Sequence, residues 1–293
     1  MIEKFSLGTF LRKYKNDDAC LAHIVSIKFP NGIYCVLCKT IAKFYKVKGR
    51  PVYQCSCGYQ VSPLAGTIFE KTTTPLQFWF YAMFVMTQTR SGVSARQLQR
   101  ELGVTYKTAW RMMKQIRLLM ANVDKTLLDG TVEIDETYIG GKGMNRRFKW
   151  QGNEKEKQII MGMVKRGGTA YLKHIPNAGK WTLLKQIKEH VDPTARVITD
   201  EWGGYIHLPK FGYHHEIVNH GATYVVGDMY TQNVENLWSQ IKRGIYGVYR
   251  IVSKKYLQAY IDEYAWRYNH RTMPSSMFDI LLNQIAEVRI LIP

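Results

Sequence analysis

The order of apolar and polar positions divides the chain into three segments with different predicted structures. The first, to about residue 74, carries all five cysteines and predicts short strands and turns. The second, from about 75 to 125, contains apolar and amphipathic stretches that predict helices. The third, from about 130 to the end, alternates strand-like and helix-like stretches, as an α/β domain does.

The third segment opens with a clear strand pattern. In "TVEIDETYI" (131–139), Val132 and Ile134 belong to one face of the predicted strand, and Glu133 and Asp135 belong to the other. The pattern therefore separates a core-facing side from a side that carries two acids.

Further along, the pattern predicts a hairpin, a buried strand and three helices. The hairpin turns at Gly167–Gly168. Residues 195–200, "ARVITD", are largely apolar and end in an acid, which is typical of a buried parallel strand. The helices are predicted at 180–191, 233–245 and 256–271. The middle helix has Asn233 as its predicted N-cap and the apolar stripe Val234, Leu237, Trp238 and Ile241.

Charge narrows the class of partner. The 293 residues include 41 Lys and Arg against 23 Asp and Glu, a net charge of +18, which indicates a polyanionic partner. The hydrophobic content of 46% excludes wholesale disorder. The start of the chain lacks the apolar core of a secretory signal, and the longest apolar run (78–86) is far shorter than the roughly 20 residues that span a bilayer. We therefore expect a cytoplasmic protein without membrane contact, whose cysteines stay reduced.

The cysteines predict a metal site. Cys35 and Cys38 form one knuckle, and Cys55 and Cys57 form a second, tighter one. Two such pairs at this separation are typical of a closed site in which four thiolates hold one structural Zn²⁺. Four unrelated buried cysteines, or a half-site made by Cys20 and His23, are the alternatives.

The second segment predicts a helix-turn-helix. Leu98 and Leu102 face inward, Gly103 makes the turn, and Thr105 caps a second helix. That helix presents basic residues on its exposed side, which would contact DNA: Lys107, Arg111 and Lys114. Plain packing of two amphipathic helices is the alternative interpretation.

Three acids in the third segment are candidates for chemistry. Asp135 lies on the first strand, Asp200 ends the apolar strand, and Glu235 lies in the first turn of the helix from 233. Each has an ordinary structural alternative, and neighbouring acids compete with them: Glu133, Glu136 and Glu201. The alternation places Asp135 and Glu133 on one face, so the pattern leaves the choice between them open.

At this point the chain resembles a known family, the bacterial insertion-sequence transposases of the IS1595 group, which have an ISXO2-like catalytic domain. The matching stretches are "VEIDETYIGGK", "VITDEWGGY", "NVENLWSQIKRGIYGVYRIVSKKYLQAYIDEYAWRYNHR" and, upstream, the cysteine segment with "YQVSPLAGTIF". They occur in order along nearly the whole chain. The CxC knuckle departs from the CxxC that is commoner in the family.

The resemblance implies a multidomain protein. We expect a zinc ribbon at 1–74, a helix-turn-helix segment at 75–125, and an α/β RNase H-like domain with a mixed sheet at 130–293. It implies that Asp135, Asp200 and Glu235 form a DDE triad. It also implies a basic residue seven positions after the glutamate, Lys242, on the same helix face as Glu235.

Such a triad needs cations, because three converging carboxylates repel one another and the DNA backbone. Two Mg²⁺ or Mn²⁺ ions would neutralise them and serve phosphoryl transfer. Lys242 and Arg243 would steer phosphate near the site.

The predicted function is that of a DNA transposase that binds the terminal inverted repeats of its element and catalyses cleavage and strand transfer. The partners are double-stranded DNA, both element ends and target, and further copies of the chain in a dimer or larger synaptic complex on the nucleoid. The alternatives are a DNA-binding regulator with an inactive catalytic domain and a metal-dependent nuclease that only cuts.

Overall fold

The computed structural model describes residues 5–121, 126–140, 157–218, 230–273 and 276–287. Contacts divide the chain into two compact units. The first holds the described parts of Met1–Thr89, Val93–Asn122 and Met273–Pro293, and the second holds those of Arg90–Gly92 and Val123–Thr272. The predicted boundary near residue 74 falls inside the first unit.

The first unit begins with two helices, α1 (Leu7–Lys13) and α2 (Asp17–Lys28). The prediction of strands and turns is wrong for these residues. Ser6 and Asn16 cap the helices, because their side-chain oxygens accept hydrogen bonds from backbone N–H groups of the first turn. In α1 the buried residue is Phe10, and in α2 the buried residues follow helical spacing: Cys20, Leu21 and Ile24.

Short strands follow, as predicted for the cysteine segment. β1 (Ile33–Cys35) pairs antiparallel with β2 (Thr40–Ala42). A second antiparallel sheet has the order β3 (Phe44–Lys46), β4 (Tyr53–Cys55) and β5 (Gln60–Val61). The cysteines that end β1 and β4, Cys35 and Cys55, are buried, whereas the second cysteine of each knuckle is exposed.

The helical segment contains α3 (Leu76–Gln88), α4 (Ala95–Leu102) and α5 (Tyr106–Met120). Gly103 joins α4 to α5 with a φ of 65°, a backbone conformation that glycine adopts without steric cost. Thr105 caps α5 by accepting from the Thr108 N–H at 3.2 Å. The predicted pair of helices with a glycine turn and a threonine cap is confirmed.

The second unit is built on a five-stranded mixed sheet. Its strands are β6 (Thr131–Ile139), β7 (Gln158–Lys165), β8 (Ala170–Ile175), β9 (Arg196–Thr199) and β10 (His214–Ile217), in the order β10-β9-β6-β7-β8. β7 pairs antiparallel with both β6 and β8, whereas β9 runs parallel to β6 and β10 runs parallel to β9. This order and these directions define an RNase H-like sheet, and the predicted fold class is confirmed.

Helices cover both faces of the sheet. α6 (Lys180–His190) packs on the face that presents Val132 and Ile134 of β6. α7 (Gln232–Gly244) and α8 (Leu257–Asn269) pack on the opposite face, where the predicted stripe of α7 is buried. The face that carries Glu133 and Asp135 is therefore the face beneath α7.

The last described helix, α9 (Met277–Glu287), belongs to the first unit rather than to the α/β unit with which it was predicted. Its Phe278 is fully buried, with ring centroids of Phe10 and Phe84 each 5.9 Å from its own. Aromatic packing with residues near the start of the chain therefore assigns this helix. None of the helices in the described ranges combines the length and the apolar character needed to cross a bilayer.

Candidate functional site

Four cysteines of the first unit form one cluster. The sulfur of Cys35 lies 3.4 Å from that of Cys57, and the sulfur of Cys38 lies 3.8 Å from that of Cys55. All four sulfurs lie within 4.8 Å of one another. The tighter CxC knuckle thus places Cys57 with the other three, and Cys20, buried in α2, is not a member of the cluster.

The cluster fits a tetrahedral zinc ion. Zn–S bonds of about 2.3 Å in tetrahedral geometry require S···S separations of about 3.8 Å. The two separations of 3.4 and 3.8 Å, and the limit of 4.8 Å for all four sulfurs, lie near this value. Within the described residues, no other set of three or more His, Cys, Asp or Glu ligand atoms is as close.

In the second unit, two of the predicted acids follow a paired segment of two neighbouring strands. β6 and β9 are parallel neighbours, and Glu133 pairs with Ile198. Asp135 and Asp200 each lie two residues beyond this last pair, and the negative charge of Asp200 acts on Asp135.

Glu235 joins them from α7. It lies in the first turn of the helix and is exposed, and the Thr231 hydroxyl donates to its Oε1 at 3.0 Å. One turn later, the indole of Trp238 donates to Asp135 Oδ2 at 2.7 Å, which holds this part of α7 over β6. Asp135, Asp200 and Glu235 thus lie near enough for their charges to interact, although their carboxylate oxygens are not grouped as closely as the cysteine sulfurs.

The electrostatics reflect this proximity. Burial raises the pKa of Asp135, and the negative charges of Asp200 and Glu235 raise it further. The hydrogen bond from Trp238 opposes both effects. A carboxylate with a raised pKa beside two others is a site that a bound cation would stabilise.

Glu133, the competing acid on the same face, is engaged elsewhere. Its side chain is fully buried and accepts from Arg166 Nε at 2.8 Å. It also accepts from the backbone N–H of Asn233 at 2.9 Å and from the Asn233 side chain at 2.8 Å. Its two oxygens are therefore committed to an ion pair and to the start of α7.

This arrangement corrects the predicted cap of α7. The helix begins at Gln232 after Thr231, so Asn233 lies inside its first turn. Thr231 makes no side-chain cap of its own. The carboxylate of Glu133 on β6 accepts the N–H groups of α7 that a local cap would otherwise satisfy.

The other two neighbouring acids are also distinguished. Glu136 lies on the opposite face of β6, where the Tyr205 hydroxyl donates to it. Burial raises the pKa of Glu136 to about 7, although the hydrogen bond from Tyr205 lowers it. Glu201 is exposed immediately after Asp200. Of the acids on β6, Asp135 is thus the one that is neither bonded to Arg166 and the start of α7 nor turned to the opposite face.

The predicted DNA-contacting residues divide between the units. Lys107, Arg111 and Lys114 are all exposed along one side of α5, while Leu98 of α4 is buried and Leu102 is half-buried. Lys242 is half-buried and Arg243 is exposed, both in the last turn of α7.

The sequence did not indicate three residues that bond the acids of β6. Trp238 was assigned only to the apolar stripe, and neither Arg166 nor Tyr205 was singled out. The available signal was that Trp238 follows Glu235 at helical spacing. Because Trp238 also belongs to the apolar stripe, the pattern indicated burial rather than the hydrogen bond to Asp135. Arg166 follows a hairpin strand, where a basic residue is unremarkable.

Comparisons with known proteins match both units. Residues 15–60 match the family described as the transposase zinc-ribbon domain, and residues 127–269 match the family described as the ISXO2-like transposase domain. The chain is similar to the "Uncharacterized protein in transposable element ISH50" of Halobacterium salinarum. The two are 28% identical over 262 residues, which cover 83% of this chain and 88% of the relative.

Two solved structures show low similarity to the chain. One is a simian T-cell lymphotropic virus intasome in complex with the PP2A regulatory subunit B56 gamma, with a TM-score of 0.33, 12% identity and coverage of 74% of each chain. The other is a Mos1 transposase paired-end complex with the left transposon end, with a TM-score of 0.32 and 13% identity. It covers 71% of this chain and 75% of the other.

Proposed function

Because the chain belongs to the IS1595 family of transposases, we propose that it binds the terminal inverted repeats of an insertion sequence and catalyses DNA cleavage and strand transfer. The observation that supports this most is that the charges of Asp200 and Glu235 act on Asp135, which Trp238 of α7 also contacts. Three carboxylates whose charges interact in an RNase H-like domain suit chemistry on phosphodiesters.

Asp135, Asp200 and Glu235 would hold two Mg²⁺ or Mn²⁺ ions. Their donors are hard oxygens, which these cations prefer. When bound, the ions would activate the attacking oxygen and stabilise the leaving oxygen. The chain itself orients the carboxylates by hydrogen bonds. Trp238 donates to Asp135, Thr231 donates to Glu235, and the backbone N–H of Trp202 donates to Asp200 at 3.1 Å.

The reaction has two steps at this site. In the first, water attacks the phosphodiester at the end of the element, which leaves a 3′-hydroxyl on the element and a 5′-phosphate on the flank. In the second, that 3′-hydroxyl attacks a target phosphodiester, forms a new phosphorus–oxygen bond and releases a target 3′-hydroxyl.

The first unit would recognise the element ends. The exposed cations of α5 would contact DNA, and the ribbon, held by one structural Zn²⁺, would add contacts beside them. Lys242 and Arg243 would attract phosphate toward the acidic site. Two ends must be joined in one reaction, so the active species would be a dimer or larger synaptic complex.

The decisive experiment follows the cleavage of a labelled terminal-repeat duplex in Mg²⁺. Asp135→Asn, Asp200→Asn and Glu235→Gln should each reduce cleavage and strand transfer by several orders of magnitude, since one site serves both steps. Binding of the duplex without added divalent cation should stay the same or tighten, because a negative charge near the phosphates is removed.

Glu201→Gln is the matched control, because Glu201 is an exposed acid next to Asp200. It should retain nearly full cleavage. An active Asp200→Asn variant, or an inactive Glu201→Gln variant, would overturn the assignment. Cleavage without strand transfer by the wild-type protein would identify a nuclease, and binding without cleavage would identify a regulator.

A further inference from the structure

The second unit exposes two tryptophan side chains, one of which follows Asp200 by two residues. Trp181, in the first turn of α6, is 69% exposed, and Trp202, two residues after Asp200, is 54% exposed. Ile206 in the same turn region is 61% exposed. Exposed tryptophans lose the hydrophobic free energy that burial would supply, so a pair of them on one surface indicates a binding site.

A hydrogen bond links Trp202 to the segment that leads to Trp181. The Trp202 indole N–H donates to the Ala178 carbonyl at 3.1 Å, which ties the turn after β9 to the loop before α6. The Trp181 and Phe211 rings pack in a T-shaped arrangement, with the centroids 6.3 Å apart. Each indole thus has one contact that holds it, while large parts of both side chains face solvent.

Cations surround the aromatic surface. The Lys180 ammonium lies 4.7 Å from the centroid of the Trp181 ring. Partial burial and the nearby charges of Lys180 and Lys210 lower the pKa of His207, which shows that both lysines lie close to that turn. Aromatic rings interleaved with lysines form a surface that attracts nucleic acid bases together with their phosphates.

We propose that Trp181 and Trp202 form a stacking platform for unpaired bases of the DNA strand that enters the acidic site. The proposal rests on the function proposed above and extends it to the state of the substrate. Within a duplex, the flat faces of the bases are covered by their neighbours, so an aromatic platform binds bases only where the strands have separated. The position of Trp202, two residues after Asp200, places that separation beside the scissile phosphate.

The test compares two forms of the terminal repeat: a blunt duplex, and a duplex that continues past the cleavage site as a single-stranded tail. Binding is measured by fluorescence anisotropy without added divalent cation. Trp202→Ala and Trp181→Ala should weaken binding of the tailed duplex about five- to hundredfold, the usual range for loss of one aromatic–base stack. Binding of the blunt duplex should not change.

Two further variants separate stacking from loss of apolar surface. Trp202→Phe should keep most of the affinity for the tail, since a phenyl ring still stacks. Ile251→Ala removes a 75% exposed apolar side chain from the same unit and should leave the binding of both duplexes unchanged.

The lysines supply an independent readout. Lys210→Ala should lower the slope of log affinity against log salt for the tailed duplex by about 0.7, the value for one phosphate contact in a single strand. Lys185→Ala, which removes an exposed lysine of α6 that pairs with Glu189, is the matched control and should leave the slope unchanged.

The outcomes distinguish this proposal from the proposed function. If the wild-type protein cleaves the terminal repeat but Trp202→Ala binds the tailed duplex as the wild type does, the platform is wrong and the function stands. If Trp202→Ala instead shifts the monomer–dimer equilibrium with DNA binding intact, the surface joins two subunits and the proposal is overturned. If the wild type neither binds nor cleaves terminal-repeat DNA, the proposed function itself fails.

Discussion

The indole nitrogen of Trp238 donates a hydrogen bond of 2.7 Å to Oδ2 of Asp135. This bond joins the strand that carries one candidate metal ligand to the helix that carries another, Glu235. The indole fits because the residue opposite Asp135 on β7 is Gly162. A Cβ at Gly162 would lie 2.6 Å from the Trp238 ring, so glycine creates the space that the ring fills.

Trp238→Phe should impair metal use more than folding. The variant keeps an aromatic ring above Gly162 but removes the donor to Asp135, a bond to a charged group that contributes about 1.5–3 kcal/mol. The pKa of Asp135 should therefore rise, and the Mg²⁺ concentration for half-maximal cleavage should rise several-fold. Titration of Mn²⁺ binding, followed calorimetrically, checks the same change without activity.

Gly162→Ala should impair folding more than metal use, and it serves as the comparison for Trp238→Phe. The added methyl displaces the Trp238 ring, so unfolding free energy should fall by about 1–3 kcal/mol, as for other overpacked cores. If Trp238→Phe lost as much stability as Gly162→Ala while its metal affinity stayed normal, Trp238 would be a packing residue only.

Glu133→Gln should destabilise the second unit strongly. The substitution keeps the shape of the side chain but removes the buried charge that pairs with Arg166 and accepts the first N–H groups of α7. Loss of one member of a buried ion pair costs up to about 3–5 kcal/mol, which urea unfolding would measure. Glu189→Gln, from an exposed pair with Lys185, should cost less than about 1 kcal/mol. Equal effects of the two substitutions would argue against a structural role for Glu133.

The cysteine cluster should bind about one zinc per chain. Cys57→Ser should lose this metal and lower the thermal stability of the first unit, because its sulfur lies with the other three. Cys20→Ser is the control, since it removes a cysteine outside the cluster and should retain full zinc content. Metal analysis of the purified variants gives the result, and a zinc-free wild-type protein with a folded first unit would contradict it.

Arg111→Ala and Lys114→Ala should each weaken binding to the terminal repeat and lower its log–log salt slope by about 0.9, because each loses one phosphate contact. Both side chains are exposed on α5. Lys185→Ala in the second unit should have a smaller effect. Unchanged affinity after both α5 substitutions would show that these two helices pack without contacting DNA.

Asp262→Asn should stabilise the protein above pH 6. Burial raises the pKa of Asp262 in α8 to about 6, against hydrogen bonding from Gln258 and the charge of Lys173. The folded state therefore holds this proton more tightly than the unfolded state, and wild-type stability falls as pH rises from about 4 to 6. At pH 7 the neutral variant should be more stable by about 1–3 kcal/mol. The gap between variant and wild type should close below pH 4, and a gap that is independent of pH would refute the assignment.

The sequence alone determined those features that depend on local geometry. The alternation of residues 131–139 predicted the two faces of β6, and the spacing of the cysteines predicted a cluster that the structure confirms. Gly103 and Thr105 predicted the turn between α4 and α5. In each case a period, a cap or a short spacing is enough, because the interacting groups are close in the chain.

The tertiary structure decided which partners these elements meet. Glu133 and Asp135 have the same place in the pattern, but the start of α7 lies over the first and Trp238 lies over the second. Likewise, α9 follows the α/β segment in sequence, yet it packs with Phe10 and Phe84 of the first unit. Local periodicity specifies which face of an element is buried, whereas the element that covers this face depends on packing between residues far apart in the chain.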